Sequence, residues 1–240
     1  MAREGRAAHL ARHPVIRRRE TPQSQVQPER QNMKLILCGK SDAVFRAMER
    51  AFFDFPEVDV VHGDILDVKA DAVVSPANSF GWMDGGIDLV YRNAFGEAVE
   101  HAAIAKIAQL PRCELHVGGA LYVCVAHERI KGVVVAPTMR VPGVVADTDN
   151  AYRAFRAALL VARECGVRTL AAPGMATGVG RMHPVQAAEQ MCRAWREVSE
   201  GQRSVLGATV IDAPAITVAG NRGHFVIDPG HSHGVHRHTV

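Results

Sequence analysis

The sequence predicts a three-layer α/β/α fold with a central mixed, mainly parallel sheet. Short apolar runs alternate with amphipathic stretches from residue 33 to residue 200. Two of the apolar runs lead directly into glycine-bearing loops that precede helices. Strands that alternate with helices are typical of α/β proteins with helices on both faces of the sheet.

The elements follow from apolar periodicity and from helix-end signals. Ser41 is a suitable N-cap, residues 147–149 offer further caps, Gly166 suits a helix end and Pro184 suits a first turn. The predicted strands cover residues 35–38, 58–62, 72–75, 120–126, 133–136 and 167–172. The predicted helices cover residues 42–53, 88–94, 98–110, about 150–165 and 184–199. On the last helix, the helical spacing predicts that five side chains point towards the core, namely Val185, Ala188, Met191, Trp195 and Val198.

Composition divides the chain into three parts. Residues 1–32 are predicted to be a disordered, Arg-rich N-terminal arm, and residues 33–200 a single domain. Residues 201–240 are predicted to be a C-terminal extension with possible edge strands at 208–211 and 216–218 and a His-rich tail. Because residues 33–38 read as an opening strand, Met33 is an alternative start, which a native peptide from upstream would exclude.

Charge is concentrated in the arm, which holds seven arginines and three glutamates, whereas the whole chain has a net charge of +3. The remainder is therefore close to neutral, which argues against direct nucleic-acid binding by the domain. The arm itself is either a solvated tail or a transit-like or nucleic-acid-binding segment. No apolar run has the roughly 18–20 residues that a membrane helix needs.

Five cysteines form no CxxC pair, and most lie inside apolar patterns. They are predicted to be reduced core thiols in a reducing, cytoplasmic compartment. There is no apolar segment typical of a secretory signal near the N-terminus. The histidines of the tail lack an accompanying cysteine or carboxylate cluster, so we expect neither a metal site nor a cofactor.

Two loops share one design, since each follows an apolar strand and precedes a helix. They are residues 75–86 and residues 173–180. Glycine lets backbone N–H groups approach a ligand, and a helix N-terminus favours anions. Either loop alone is explained by a tight turn, but the pair favours a nucleotide-diphosphate site. The Walker A motif fails because Lys34 stands where glycine is required, and the dinucleotide fingerprint fails at His183.

Five short motifs in this order resemble the macrodomain family. They are Gly63-Asp64-Ile65, Asp71-Ala72-Val73-Val74-Ser75-Pro76-Ala77-Asn78, Gly85-Gly86-Ile87-Asp88, a late strand, and Thr177-Gly178-Val179-Gly180. The resemblance covers about residues 33–199 and implies the same α/β/α fold. Members of the family typically bind ADP-ribose, and many remove ADP-ribosyl groups from proteins or deacetylate O-acetyl-ADP-ribose. The partners it implies are ADP-ribose or ADP-ribosylated macromolecules.

The resemblance also suggests roles for individual residues. Asp64, with Ile65 beside it, resembles the acidic residue that accepts a hydrogen bond from the adenine amino group. Asn78 resembles the asparagine that contacts the distal ribose. Asp88 has the spacing of an aspartate that orients or deprotonates a water. The diphosphate cradle is implied to comprise Gly85, Gly86, Ile87, Ala176, Thr177, Gly178, Val179 and Gly180. From the residues alone, Asp64 also fits a turn cap, Asn78 a turn residue and Asp88 a helix N-cap.

The chain departs from the family pattern at several positions. Trp82-Met83-Asp84 replaces part of a glycine run. The bulky Trp82 and Met83 would reshape the loop or line a pocket, and Asp84 is a second candidate base. Ser75-Pro76-Ala77-Asn78 stands where many members have Asn-Ala-Ala-Asn. Arg181 is a candidate phosphate contact or a solvated side chain, and Thr138 and Arg140 are candidates at the same rim. Three hypotheses remain open: an ADP-ribosyl hydrolase, a non-catalytic ADP-ribose reader, and a nucleic-acid-binding protein that uses the arm.

Overall fold

The structure, a computed structural model, describes residues 33–200, and within them strands and helices alternate as predicted. The strands are β1 (Lys34–Gly39), β2 (Val58–His62), β3 (Ala72–Ser75), β4 (Leu121–Cys124), β5 (Gly132–Val135) and β6 (Thr169–Pro173). The helices are α1 (Asp42–Ala51), α2 (Gly86–Phe95), α3 (Ala98–Ile107), α4 (Asn150–Glu164) and α5 (Pro184–Ser199). The predicted arm, extension, edge strands and His-rich tail lie outside the described residues.

One sheet contains the six strands in the order β2-β1-β6-β3-β5-β4. The first five are parallel to their neighbours, and β4 alone pairs antiparallel with β5. The prediction of a mixed, mainly parallel sheet is therefore confirmed. The carboxyl ends of the five parallel strands meet at one edge, which is where ligands bind in such sheets.

The sheet separates two apolar layers. Alternate residues of β1 point to opposite faces, so that Leu35 and Leu37 join one core cluster while Ile36 and Cys38 join the other. Buried side chains of α1, α4 and α5 complete the first cluster, and those of α2 and α3 complete the second. This arrangement is the predicted three-layer α/β/α fold.

Two sequence predictions about burial are wrong. Val185 is 41% exposed because it lies in the first turn of α5, and the helix makes its first core contact at Ala187. Three of the five cysteines are exposed, namely Cys113, Cys124 and Cys165, and only Cys38 and Cys192 are buried. Cys124 faces outward because β4 is an edge strand with alternate residues turned away from the core.

The helix ends show why the sequence predictions succeed. The Ser41 hydroxyl accepts from the Val44 N–H at the start of α1, and Gly166 adopts a φ of 70° just after α4. Trp195 is 3% exposed and donates its indole N–H to Glu57, as a core position on α5 requires. No helix within residues 33–200 is long and apolar enough to cross a membrane.

Candidate functional site

A cavity of about 580 Å³ lies at the carboxyl edge of the sheet. Each of the five parallel strands leads into it, and the lining includes Asp64 after β2, Lys40 after β1, Thr177 after β6, Asn78 after β3 and Thr138 after β5. Neighbouring strands lie about 4.8 Å apart, so the row of five parallel strands spans roughly 19 Å from β2 to β5. The cavity is therefore an elongated groove that runs across the sheet from β2 to β5.

The two glycine-bearing loops are neighbours, because β3 and β6 pair directly. Most of the predicted site residues line the cavity between them. Those that do are Asp64, Ile65, Asn78, Asp84, Gly85, Gly86, Ile87, Asp88, Ala176, Thr177, Gly178, Val179 and Gly180. Arg181 is exposed and does not belong to the lining. Thr138 lines the cavity, whereas Arg140 instead forms an ion pair with Glu114.

Asp64 marks the β2 end of the groove. One carboxylate oxygen accepts from the Leu66 N–H at 3.0 Å, and the other lies 3.3 Å from Lys40 Nζ. The Leu66 hydrogen bond, with support from Lys40, lowers the pKa of Asp64, so the side chain is an anion at neutral pH. Capping the turn at Ile65–Asp67 occupies one oxygen only, and the second oxygen remains available to a further donor.

Asp88 lies near the middle of the groove in the first turn of α2. It is 7% exposed, and the Ser75 hydroxyl at the end of β3 donates to its Oδ1 at 2.6 Å. Burial raises the pKa of Asp88 to about 7 against the opposing effect of the Ser75 hydrogen bond, and the charge of Asp84 adds to the increase. The N-cap of α2 is Gly85, so the alternative in which Asp88 is the N-cap is wrong.

Asn78 holds the loop that follows β3. Its Oδ1 accepts from the N–H groups of Phe80 and Trp82 at 3.0 and 3.3 Å, and its Nδ2 donates to the Trp82 carbonyl at 2.8 Å. Such side-chain hydrogen bonds mimic a backbone turn. The turn role that the sequence left open is therefore present in the structure, and both polar atoms of the Asn78 amide serve it.

The late loop after β6 is shaped by close backbone approach. A Cβ at Gly180 would lie 2.6 Å from the Ala176 carbonyl oxygen, so only glycine fits there. By contrast, a Cβ at Gly178 would meet no heavy atom within 4 Å, because that position faces open space at the cavity. The Thr177 hydroxyl donates to the Gly174 carbonyl and steadies the start of the loop.

Trp82, which the sequence indicated would reshape the loop or line a pocket, lines the cavity and is 39% exposed. Sequence reasoning did not assign two other contributors, namely Lys40, which pairs with Asp64, and Ser75, which holds Asp88. Ser75 stands at a departure from the family pattern, which was the available signal. No local signal in the sequence indicates the role of Lys40, because its ion pair with Asp64 requires β1 and β2 to lie side by side in the sheet.

Comparisons with known proteins agree with this fold. The family model described as Macro domain matches residues 74–191. An uncharacterized protein of Aquifex aeolicus is 39% identical over 142 residues, which are 59% of this chain and 82% of that protein. A protein named O-acetyl-ADP-ribose deacetylase from Salmonella gallinarum is 31% identical over 136 residues, which are 56% of this chain and 74% of that protein.

Solved structures show the same fold at low sequence identity. The macrodomain of Mycobacterium tuberculosis DarG superposes with a TM-score of 0.51 at 18% identity. The match covers 63% of this chain and 93% of the DarG macrodomain chain. The Oceanobacillus iheyensis macrodomain with MES bound also superposes with a TM-score of 0.51 at 18% identity. The match covers 62% of this chain and 78% of that one. From the matching family model, the relatives above 30% identity and the shared fold, we conclude that this chain belongs to the macrodomain family.

Proposed function

We propose that this protein binds ADP-ribose in the groove and hydrolyses a bond at its distal ribose. The reaction would remove an ADP-ribosyl group from a macromolecule or deacetylate O-acetyl-ADP-ribose. A relative that is 31% identical bears the name O-acetyl-ADP-ribose deacetylase. The observation that carries the proposal is the buried carboxyl group of Asp88 beside the cavity, with its pKa raised to about 7.

The groove suits the parts of ADP-ribose in order. At the β2 end, the anionic carboxylate of Asp64 can accept from the exocyclic amine of adenine, and Ile65 offers an apolar surface to the base. In the middle, the backbone of residues 85–87 and 177–180 would receive the diphosphate, since glycine N–H groups at a helix start favour anions. The distal ribose would then lie beyond Asp88, towards β5.

Asp88 has the properties of a general base. A base with a pKa near the working pH combines sufficient ionisation with sufficient basicity. Ionised Asp88 would take a proton from a water whose oxygen attacks the anomeric carbon. The bond between that carbon and the macromolecule then breaks, and the departing oxygen takes a proton from solvent. In the deacetylase reaction, the same water would attack the carbonyl carbon of the acetyl ester. The bond between that carbon and the ribose oxygen then breaks, acetate leaves, and the ribose oxygen takes up the proton.

Ser75 and Asn78 would act as positioning residues. The Ser75 hydroxyl fixes the orientation of the Asp88 carboxyl through Oδ1, which leaves Oδ2 for the water. Asn78 would act through the loop that it holds at Phe80 and Trp82. Asp84 is exposed in the lining and is the second candidate base.

Replacing Asp88 tests the reaction separately from binding. We expect Asp88→Asn to retain ADP-ribose affinity and to lose about 10²- to 10⁴-fold in kcat, which is the usual contribution of a general base. The measurements are calorimetry with ADP-ribose and a release assay over several ADP-ribosyl linkages and O-acetyl-ADP-ribose. Asp84→Asn is the matched control, and it should retain most of the turnover. Unchanged turnover in both variants would show that neither carboxylate is the base.

A second candidate function is a reader that binds ADP-ribose without hydrolysis. The observation that favours it is the low accessibility of Asp88, which is 7% exposed and has one oxygen held by Ser75. The release assay with the wild-type protein distinguishes the two functions. Tight binding of ADP-ribose with no release from any tested linkage would support the reader.

A further inference from the structure

Trp82 is an exposed aromatic side chain on a loop that is otherwise firmly held. Its flanking residues are fixed on both sides. Gly81 adopts a φ of 77° and packs so closely that a Cβ would lie 2.9 Å from Ile107. Met83 is fully buried and donates its N–H to Glu100 at 2.9 Å. The Trp82 N–H also donates to Asn78 Oδ1, and the Trp82 carbonyl accepts from Asn78 Nδ2, so the backbone that carries the indole is held in place.

One face of the indole is already covered. The Phe80 ring stacks on it with centroids 4.8 Å apart and an interplanar angle of 21°. Phe80 is supported in turn by the Arg140 guanidinium 5.2 Å from its centroid, and Arg140 is held by Glu114 at 3.1 Å. Trp82 is nevertheless 39% exposed and belongs to the lining of the groove, so the part of the residue that Phe80 leaves uncovered is accessible to a ligand.

Sheet order places this open indole at a defined end of the groove. Asn78 forms a bridge with Met139 after β5, and the Ser79 N–H donates to the Arg140 carbonyl. The loop of Trp82 therefore lies on the β3–β5 side, whereas Asp64 follows β2 at the opposite end of the row of strands. Asp88 lies between them, because it is held by the last residue of β3.

We propose that Trp82 is the residue that recognises the distal ribose, by packing its open face against the apolar face of that sugar. A ribose presents C–H groups on one side of the ring, and an aromatic surface is a suitable apolar contact for them. The inference rests on the proposed function, because it assumes that ADP-ribose lies with its adenine at Asp64. Trp82 then acts as a specificity residue that distinguishes ADP-ribose from ligands lacking the second sugar.

Comparing ADP-ribose with ADP tests this role, since ADP carries the same adenosine and diphosphate without the distal ribose. We expect Trp82→Ala to weaken ADP-ribose binding about tenfold and to leave the affinity for ADP within about twofold. Trp82→Phe should restore most of the loss because it keeps an aromatic face. Phe53→Ala is the matched control, since Phe53 is an 84% exposed aromatic outside the cavity lining.

Tryptophan fluorescence gives a second readout that a purely structural role would not change. The chain has two tryptophans, and Trp195 is buried, so the exposed Trp82 would report on the ligand. ADP-ribose should shift the emission of the wild-type protein, ADP should not, and the shift should vanish in Trp82→Phe. This readout decides the question even if Trp82→Ala fails to fold.

The outcomes separate the two proposals. If the wild-type protein binds neither ADP-ribose nor ADP, the proposed function itself is wrong. If it binds both and Trp82→Ala weakens both equally, or weakens neither, the ribose role of Trp82 is overturned while the proposed function stands. An emission shift of equal size with ADP and ADP-ribose would also overturn the role of Trp82.

Discussion

At the scale of residues, two carboxyl groups that line the groove have pKa values shifted in opposite directions. Asp64 receives a backbone hydrogen bond and faces Lys40, which lowers its pKa. Asp88 is enclosed by protein and lies near Asp84, which raises its pKa to about 7. Environments that separate the pKa values of two like groups assign them different tasks. Asp64 is suited to a permanent acceptor, and Asp88 to a group that gains and loses a proton near neutral pH.

This difference predicts a pH dependence of turnover. If the ionised form of Asp88 is the base, kcat/KM should rise about tenfold per pH unit up to about pH 7 and stay constant above it. Asp84→Asn removes a neighbouring negative charge that raises this pKa, so the midpoint of the profile should move to lower pH. The measurement is kcat/KM from pH 5 to pH 9 for both proteins. A midpoint that moves upward, or a profile that falls through pH 7, would contradict the assignment.

At the scale of elements, the sequence was informative where local signals exist. The bounds of β2, β3 and α5 agree with the predicted ranges, because apolar periodicity and Pro184 define them locally. Helix α2 begins at Gly86, two residues before the predicted start, because its N-cap Gly85 has no side chain that could mark the position in the sequence. The antiparallel direction of β4 and the pairing of Ser75 with Asp88 depend on contacts between distant segments, and a single sequence shows neither.

The same limit applies to the candidate site. Motif order was sufficient to indicate the two loops, and the residues proposed for them line one cavity apart from Arg181. The sequence offered two interpretations of the Asn78 amide. The turn role is visible only from the positions of the Phe80 and Trp82 backbone groups, and the ribose contact stays a prediction. Trp82 is exposed while its neighbour Met83 is buried, and the sequence alone does not indicate which of these two apolar side chains faces the core.

The late loop provides a prediction at the scale of elements. Gly178→Val adds a branched side chain where a Cβ has open space, so the free energy of unfolding should change by less than about 0.5 kcal/mol. The added atoms would occupy the part of the cavity proposed for the diphosphate, and ADP-ribose affinity should fall at least about tenfold. Calorimetry and thermal unfolding measure the two effects.

Gly143→Ala is the control for this substitution. Its Cβ would lie 3.7 Å from the Val141 carbonyl oxygen, an ordinary contact, and it is not part of the cavity lining. It should leave both stability and affinity unchanged. Undiminished ADP-ribose binding by Gly178→Val would mean that the ligand does not pass between the two loops.

At the scale of the whole molecule, the described core and the cavity are contained in residues 33–200. Within these described residues, one apolar cluster packs on each face of the six-stranded sheet, and the groove lies at the sheet's carboxyl edge. We expect a chain of residues 33–200 to unfold cooperatively and to bind ADP-ribose with the affinity of the full chain. Thermal unfolding and calorimetry of the two proteins provide the check, and a large loss of affinity would place part of the site outside this range.

The position of β6 has a consequence for the order in which the molecule can assemble. It lies between two halves of the sheet, β2-β1 on one side and β3-β5-β4 on the other, and the strands of one half pair with those of the other only through β6. As the last strand in the described chain, β6 must insert between partners that were synthesised long before it. Pairing across such long sequence separations is slow, because loop-closure entropy is lost before the contacts form. During synthesis, the groove can close only after nearly the whole domain has emerged.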